Sequence, residues 1–550
     1  MKRILPNKTY VVISFLAFLF CAFVIEAQTA KVNIPLSSKQ TIYGRITNQC
    51  DEPLNAQVQV WYYNFQEVTF SVNPAEAKGR TDNLIGVAYS DDLGFYSVEV
   101  PADTILVIVT KGPEWELIYD RMIIQPEEFD GIQYNVSLNR LYDLEKLGWY
   151  AGDTHTHSIH SDGHQRPSKI ANAMKSVGLS WGILTDHNSI SGSEEWLGNQ
   201  TNNFIPIVGN EITTEPSLSA EENGYGHMNQ TFITELNGTD PSNPNIWARA
   251  VMNGNDDVRM MIEKTHKQNG LISVNHPYSA WDWAGRFKSW GLVNGYDIIE
   301  IWNGEPPHSP TVNLWDTLKM NISTYAVHTW FEFLNSGNKI TGLAGSDCHD
   351  VTGKNAYPKG KYFWNSMIGN PRTYAHINRL DKGNIKQAIK DGNLFLTSCF
   401  GPLLLVNVEG KYPGEVVSLS DKQQVKVSIE VLANHPLLNS EDGVRIIFNG
   451  RVVKSFNTVD ELKVNKNADI DIACDGWIIV EAFGPYPMYA ITNPIYIDVQ
   501  PLGDWPVNKW IEPDDSMLWN TFSNHPEITI PNGPSNWKDS GYIFNEINNE

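Results

Sequence analysis

The chain has few cysteines, few charged residues and fewer basic than acidic ones. Its 550 residues include 5 Cys, which are too widely spaced for a Cys-x-x-Cys site or a dense disulfide framework. Charged residues make up 19% of the chain and hydrophobic residues 41%, which excludes a disordered tail protein and predicts packed cores. Lys and Arg number 41 against 63 Asp and Glu, for a formal net charge of -22. An acidic surface repels a phosphate backbone, so a role in coating duplex nucleic acid is disfavoured.

Internal repeats and low-complexity runs are also missing, and the one long apolar run lies near the N-terminus. Basic residues at positions 2, 3 and 8 precede the apolar residues 10–25, and the small residue Ala27 follows. This order is typical of a secretory signal peptide, here residues 1–27. A membrane anchor is the alternative, because such a run nearly spans a bilayer, but the polar sequence after Ala27 favours the signal. We therefore expect an exported protein, periplasmic or extracellular, without stable membrane insertion after cleavage.

Residues 31–145 predict a small N-terminal β-sandwich. Segments 41–47 and 56–63 alternate apolar and polar residues, as half-buried strands do, and a turn at 91–94 separates two further strands. The "GRIT" and "YSDDLGFYSVEVP" segments resemble the carboxypeptidase regulatory-like modules of secreted bacterial proteins. No residues with evident chemistry stand out here, so an accessory or structural role is expected.

Residues 401–500 again show strand patterns and predict a second sandwich. The pair Asn449-Gly450 is a strong hairpin signal between two of these strands. Residues 501–550, rich in Trp, Pro and Asn, predict an irregular C-terminal extension.

Between the two sandwiches, residues 148–400 alternate apolar strand patterns with helical ones. Pro167 marks the start of one helix, and Gly270 closes another. This rhythm predicts an α/β fold with a parallel sheet or barrel and crossover helices. Barrels of this kind place their active sites at the carboxyl ends of the strands.

Ionisable residues follow these apolar runs. Segment 152–164, "GDTHTHSIHSDGH", holds four of the chain's 14 His, and its His155 and His157 would project from one side of an extended strand, as chelation requires. The other candidates are Asp162, His187, Glu211, His227, His276, Asp347 and His349. Separate buried hydrogen-bond pairs are the alternative, but burying so many ionisable groups without cations would be costly. Convergence on one metal site is the better account, and a mixture of imidazole and carboxylate suits Zn, Mn or Fe more than Ca.

The motif order HxH, SDG, TDHN, GNE, GH, NHP and GSDxH resembles the PHP (polymerase and histidinol phosphatase) superfamily. The segments "GDTHTH", "EIWN" and "AGSDCH" are most similar to its CehA/McbA-type metallohydrolase branch. The resemblance covers residues 148–400 and implies a distorted (β/α)7 barrel, flanked here by the two sandwiches, with two or three divalent transition-metal ions. It implies one ion held by His155, His157, Glu211 and Asp347, a second by Glu211, His227 and His276, and a third by Asp162, His187 and His349.

Several residues within or near these motifs need a separate interpretation. Asp162 occupies a position where many members have His, although Asp also coordinates. His160 and His164 fall outside the matched positions and are expected beside the ligands or in solvent. Arg372, in "NPRTY", is a candidate for binding an anionic substrate group, with an ordinary surface arginine as the alternative. Glu300 matches a recurrent family position and is expected to support a ligand or the substrate, with a buried ion pair as the alternative.

The resemblance implies a metal-dependent hydrolase that uses metal-activated water on phosphate mono- or diesters, with a small-molecule ester as its substrate. The catalytic candidates are Glu211, Asp347, His349 and Arg372. Because the same branch includes a carbamate ester hydrolase, hydrolysis of carboxylic or carbamate esters at the same metal centre is an alternative. A non-catalytic protein that binds glycan or protein is another, although the intact ligand set argues against it. The sequence does not predict the oligomeric state.

Overall fold

The computed structural model describes residues 39–63, 84–125, 131–213, 226–237, 239, 242, 243, 245, 255–277, 293–308, 322–353, 367–421, 423–435, 440–458, 462–485 and 487–499. The predicted signal peptide, 1–27, and the predicted C-terminal extension, 501–550, lie outside these residues. Among the described helices, none has the length and apolar character needed to cross a membrane.

Two four-stranded sheets form the N-terminal part of the described chain. Strands β1 to β8 are Lys39–Asn48, Gln57–Tyr62, Leu84–Tyr89, Phe95–Pro101, Thr104–Thr110, Ile118–Ile123, Ile132–Gln133 and Val136–Leu138. One sheet has the order β4-β1-β7, with β8 also paired to β1, and the other has the order β3-β2-β5-β6. Alternate apolar residues of both sheets, such as Ile42, Val58 and Val107, form the core between them. We call this unit the N-terminal sandwich.

The central part of the chain begins with a 3-10 helix, Leu144–Leu147. Strands β9 to β17 are Trp149–Asp153, Trp181–Leu184, Ile205–Thr213, His227–Thr231, Leu271–Asn275, Ile298–Asn303, Thr341–Gly345, Arg372–His376 and Leu394–Thr397. Helices α1 to α5 are Pro167–Ser176, Ser193–Leu197, Asn255–Lys267, Ile322–Asn335 and Lys382–Asp391. Pro167 is the first residue of α1, as the sequence indicates, because its fixed φ suits a helix start and its missing N–H costs nothing there.

The central strands follow one another in the order β15-β14-β13-β12-β11-β10-β9-β16-β17. Strands β9, β10 and β11 are parallel, and so are β13, β14 and β15. Strand β12 runs antiparallel to both neighbours, and β16 runs antiparallel to β9 and β17. The expected distorted (β/α)7 barrel is therefore not evident, since the described residues are largely sheet with few helices. The reason is that antiparallel neighbours need no crossover helix, and an apolar run in a sequence does not reveal the direction of its strand.

The C-terminal strands extend the same sheet. Strands β18 to β26 are Leu403–Val408, Val416–Leu419, Gln423–Leu432, Ser440–Phe448, Arg451–Thr458, Lys463–Ile472, Gly476–Phe483, Tyr489–Thr492 and Ile495–Val499. Strand β25 pairs with β17 and is followed by β24, β21 and β22, and with β26 and β19 the connected sheet has 15 strands. Strands β18, β20 and β23 form a separate sheet. The Asn449-Gly450 pair joins β21 and β22 with positive φ at both residues, the hairpin turn that this dipeptide predicts.

Candidate metal centre

All the predicted metal ligands lie together at one edge of the central sheet. They fall into four overlapping groups, and within each group the potential ligand atoms lie within 4.8 Å of one another. The groups are His157, Asp162, His187 and His349; His155, His157 and Asp347; His155, Glu211 and His276; and His187, Glu211 and His227. We refer to these residues as the histidine–carboxylate cluster. That each of them binds an ion stays a prediction.

Strand direction explains how distant segments meet at this edge. His155 and His157 follow the end of β9, while Asp347 and His349 follow the end of β15. Because β12 is antiparallel to its neighbours, its first residue, His227, lies beside the carboxyl ends of β11 and β13. The β12 reversal thus carries a histidine to the edge where the parallel strands end.

Glu211 is the centre of the cluster. Its side chain is 1% exposed and faces five imidazoles. Oε2 lies 3.3 Å from His155 Nε2, 3.4 Å from His157 Nε2 and 3.0 Å from His187 Nδ1, whereas Oε1 lies 3.1 Å from both His227 Nδ1 and His276 Nε2. The two carboxylate oxygens therefore face different histidines, an arrangement that suits a ligand shared between two ions.

Two further carboxylates complete the cluster. Asp347 Oδ1 lies 3.0 Å from His157 Nε2 and 3.4 Å from His155 Nε2. Asp162 Oδ2 lies 3.2 Å from His349 Nε2 and 3.7 Å from His187 Nε2. Asp162, at the position where many family members have His, thus still faces the cluster.

Hydrogen bonds from neighbouring groups set the orientation of the imidazoles. Glu300 Oε1 accepts a hydrogen bond from His155 Nδ1 at 2.9 Å, so His155 directs Nε2 toward the cluster. The backbone carbonyl of Asp347 accepts from His349 Nδ1 at 2.8 Å, which directs His349 Nε2 toward Asp162. Glu300 Oε2 also accepts from the backbone N–H of His276 at 2.8 Å. Glu300 therefore supports two segments of the cluster, consistent with the supporting role expected from sequence.

Two asparagines at strand ends contact the carboxylates directly. Asn275 Nδ2 donates to Glu211 Oε1 at 3.0 Å, and Asn303 Nδ2 donates to Asp347 Oδ2 at 3.3 Å. Sequence reasoning did not single out either residue, because Asn after a strand is typical of turns. The signal available was their position: Asn275 directly precedes His276, and Asn303 lies three residues after Glu300.

The loop that follows His157 is organised by Asp186. Asp186 accepts hydrogen bonds from the backbone N–H of Ser158 at 2.6 Å, from the Ser158 hydroxyl at 2.7 Å and from the Ser161 hydroxyl at 2.8 Å. These bonds fix the turn between His157 and Asp162. Asp186 thus braces the loop that leads to Asp162.

The cluster shifts the ionisation of its members in opposite directions. Burial alone would raise the pKa of Glu211 and Asp347, but the surrounding histidines outweigh it and lower both pKa values well below the usual range. Burial acts against a charged His155, yet Asp347, Glu211 and Glu300 raise its pKa well above the ordinary value. Burial together with His349 and His187 lowers the pKa of His157 to about 4. For His349, burial is outweighed chiefly by Asp162, and its pKa rises to about 9.

Several buried donor and acceptor atoms in the cluster have no hydrogen-bond partner. They are His155 Nε2, both ring nitrogens of His157, Glu211 Oε2, His227 Nε2, His276 Nδ1 and Asp347 Oδ1. Buried polar atoms are nearly always satisfied, so a group of them aimed at one small region indicates that something else binds there. Imidazole nitrogens with carboxylate oxygens are ligands for divalent transition metals, and the residues fit that chemistry.

Backbone strain accompanies two of the predicted ligands. His276 and Asp347 have positive φ values of 24° and 51°, a region that residues other than glycine rarely adopt. Such conformations cost on the order of 1–3 kcal/mol and persist where the surroundings impose them, often at functional sites.

The structure does not bring Arg372 to the cluster. Its side chain is 1% exposed, Nε donates to the carbonyl of Gly369 at 3.0 Å, and Nη1 donates to the carbonyl of Val177 at 2.8 Å. Neither a substrate-binding arginine nor a surface one describes this buried guanidinium, which links β16 to the end of α1. Of the two histidines left out of the ligand set, His160 contacts the Ser191 hydroxyl at 2.8 Å, and His164 is exposed.

Comparison with known proteins gives matches among solved structures only. No protein-family model matches the chain, and no curated protein matches it. Among solved structures, a two-domain Bacteroides vulgatus protein containing a predicted PHP-like metal-dependent phosphoesterase is 15% identical, with a TM-score of 0.34 over 63% of this chain and 95% of that one. An amidohydrolase from Chromobacterium violaceum is 14% identical, with a TM-score of 0.24 over 38% of this chain and 89% of that one. With TM-scores this low, neither likeness carries a functional argument, and the geometry of the cluster has to carry it.

Proposed function

We propose that the protein is a metal-dependent hydrolase, and more narrowly a phosphoesterase that acts on phosphate mono- or diesters. The observation that carries the proposal is the position of Glu211, whose two oxygens face separate sets of histidines. The motif order supports the phosphoesterase reading, since it resembles the PHP superfamily and its metallohydrolase branch. Divalent ions bound by these residues would supply Lewis acidity, which lowers the pKa of a water nucleophile and neutralises charge on the scissile group.

The exposure of the cluster residues indicates the side from which a substrate approaches. The side chains of Asp162, His349 and Asp347 are 33%, 31% and 24% exposed, whereas those of His155 and His157 are 0% exposed. A substrate therefore meets the Asp162–His349 side first.

The charge of the cluster also favours an anionic substrate only when cations are bound. Among the described residues, the ion pairs of Glu211, Asp347 and Asp162 are with histidines, and none is with Lys or Arg. Without metal, the histidines whose pKa is raised, His155, His276 and His349, at most offset the three carboxylates, so the cluster has no net positive charge to attract a phosphate group. The proposal therefore requires metal for substrate binding as well as for chemistry.

A substrate panel tests the proposal. Purified protein is assayed with p-nitrophenyl phosphate, bis-p-nitrophenyl phosphate and p-nitrophenyl acetate, after chelation and after addition of Mn or Zn. Metal-dependent turnover of a phosphate ester is the expected result. Turnover of the acetate alone would replace the phosphoesterase by a carboxylic ester hydrolase, and a protein without metal or activity would leave a binding role.

Export is part of the proposal as well, and fractionation of the producing cells tests it.

A further inference from the structure

Strand β2 of the N-terminal sandwich carries an unusual buried face. Val58 and Val60 point into the core between the two N-terminal sheets, as expected. Gln57 and Gln59 lie on the opposite face and are both 0% exposed, and Trp61 beyond them packs into the core shared with the central sheet. A buried amide costs free energy unless its hydrogen bonds are made, so apolar residues would be the ordinary choice here.

The two glutamines take part in a row of hydrogen bonds with a single direction. Trp61 Nε1 donates to Gln59 Oε1 at 3.1 Å, Gln59 Nε2 donates to Gln57 Oε1 at 2.6 Å, and Gln57 Nε2 donates to the hydroxyl of Tyr89 at 3.2 Å. The Tyr89 hydroxyl then donates to the backbone carbonyl of Val351 at 2.6 Å. Because the hydroxyl accepts from Gln57, its one proton is directed to Val351. The row thus ends outside the sandwich, on the central part of the chain.

Val351 lies two residues beyond His349, in the segment that carries two cluster residues. Gln165 holds the same segment from the other side: its Oε1 accepts from the Val351 N–H at 3.1 Å, and its Nε2 donates to Asp350 Oδ1 at 2.8 Å. The backbone N–H of His164 donates to the carbonyl of His349 at 2.8 Å. The segment is therefore held by the loop after His157 and by one tyrosine from a different sheet.

We propose that Tyr89 is a positioning residue of the metal centre and that the N-terminal sandwich, through Tyr89, helps to hold the segment that carries His349. The inference rests on the proposed metal centre, because it concerns how His349 is presented to an ion. Without the Tyr89 bond, the carbonyl of Val351 loses its partner, and the loop can shift the imidazole away from Asp162. Residues that hold a metal ligand in place contribute to the affinity of the site for the metal, so their replacement weakens metal binding measurably.

Metal binding by the full chain tests this role, with Tyr89→Phe as the variant and Tyr96→Phe as the matched control. The Tyr96 hydroxyl also donates to a backbone carbonyl, that of Tyr134 at 2.7 Å, but both residues lie within the N-terminal sandwich. Binding of Co(II) is measured by calorimetry and by the visible spectrum of the bound ion. Loss of one neutral hydrogen bond predicts roughly fivefold weaker binding of one ion in Tyr89→Phe, with an altered spectrum, and no change in Tyr96→Phe.

Gln57→Met serves as a second variant, because it keeps the side-chain volume and removes the donor that orients the Tyr89 hydroxyl. It also removes the oxygen that accepts from Gln59 Nε2, so circular dichroism is used to check that this variant folds. A smaller loss of affinity for the same ion is expected. Wild-type affinity and an unchanged spectrum in both Tyr89→Phe and Gln57→Met would overturn the positioning role while leaving the metal centre intact. Failure of the wild-type protein to bind Co(II) at all is a different result, which would overturn the proposed metal centre and this role with it.

Discussion

Replacement of Glu211 by Gln is the most direct test of the proposed metal centre. The change keeps the size of the side chain and its contact with Asn275, but it removes the charge between two sets of histidines. Each oxygen of Glu211 makes charge-assisted contacts on its own side of the cluster. With about 2 kcal/mol for each such interaction, the loss is roughly thirtyfold in affinity for each of two ions, or about a thousandfold for filling both.

Metal content after dialysis, measured by mass spectrometry, and turnover of a phosphate diester are the assays. Glu211→Gln is expected to retain less metal and to lose activity by about a thousandfold at limiting metal, since both ions contribute. Glu332→Gln is the matched control, because Glu332 is also a buried glutamate beside a histidine, His328 at 3.3 Å, on helix α4 outside the cluster. Circular dichroism confirms that each variant folds. Wild-type metal content and turnover in Glu211→Gln would refute the bridging role.

Three other predictions follow from the geometry. Asp162→Asn should lower the metal content by about one ion per chain and leave the rest bound, because Asp162 belongs to one of the four ligand groups, that with His157, His187 and His349; full occupancy by mass spectrometry would contradict this. Arg372→Met should lower the free energy of unfolding by about 2–3 kcal/mol in urea, because it leaves two buried carbonyls without a donor, while the KM for an anionic ester stays the same. A raised KM with unchanged stability in Arg372→Met would instead indicate that Arg372 binds the substrate. Metal uptake at pH 7 should release protons, and the affinity for metal should rise as the pH rises toward 9. The reason is that the pKa of His155 is raised and that of His349 is about 9, so both imidazoles are protonated until a metal displaces the proton. Calorimetry in buffers of different ionisation enthalpy measures the release, and identical heats would argue against it.

The convergence of the predicted ligands could be foreseen from the sequence because its signal is local. His155 and His157 alternate along an extended segment, and Asp347 and His349 follow an apolar run, so residue type and strand position together predicted where they lie. The direction of β12 was not accessible, since the pattern of apolar residues in a strand is the same in either direction. The distorted barrel was expected from the alternation of strand and helix patterns and from the family resemblance, and neither reveals the antiparallel β12.

Residues that support the site were harder to foresee, because their role depends on distant partners. Asn303 contacts Asp347, which follows the neighbouring strand, and in the sequence its position three residues after Glu300 was the signal that set it apart from a turn residue. Arg372 shows the converse: an arginine near a motif suggested anion binding, but its partners are the carbonyls of Gly369 and Val177. Side chains whose roles depend on contacts far along the chain require the fold before they can be assigned.

The pairing of β17 with β25 has a practical consequence for anyone who wishes to express the central part alone. A fragment ending at residue 400 would keep β17 but lose β25, and it would expose a row of unpaired backbone groups on β17. The side chains of Leu394, Phe395 and Leu396 on this strand are 0% exposed in the full chain. Such an edge is a template for intermolecular strand pairing. The fragment would be prone to aggregate, so a soluble fragment that contains the cluster has to include the strands through β26.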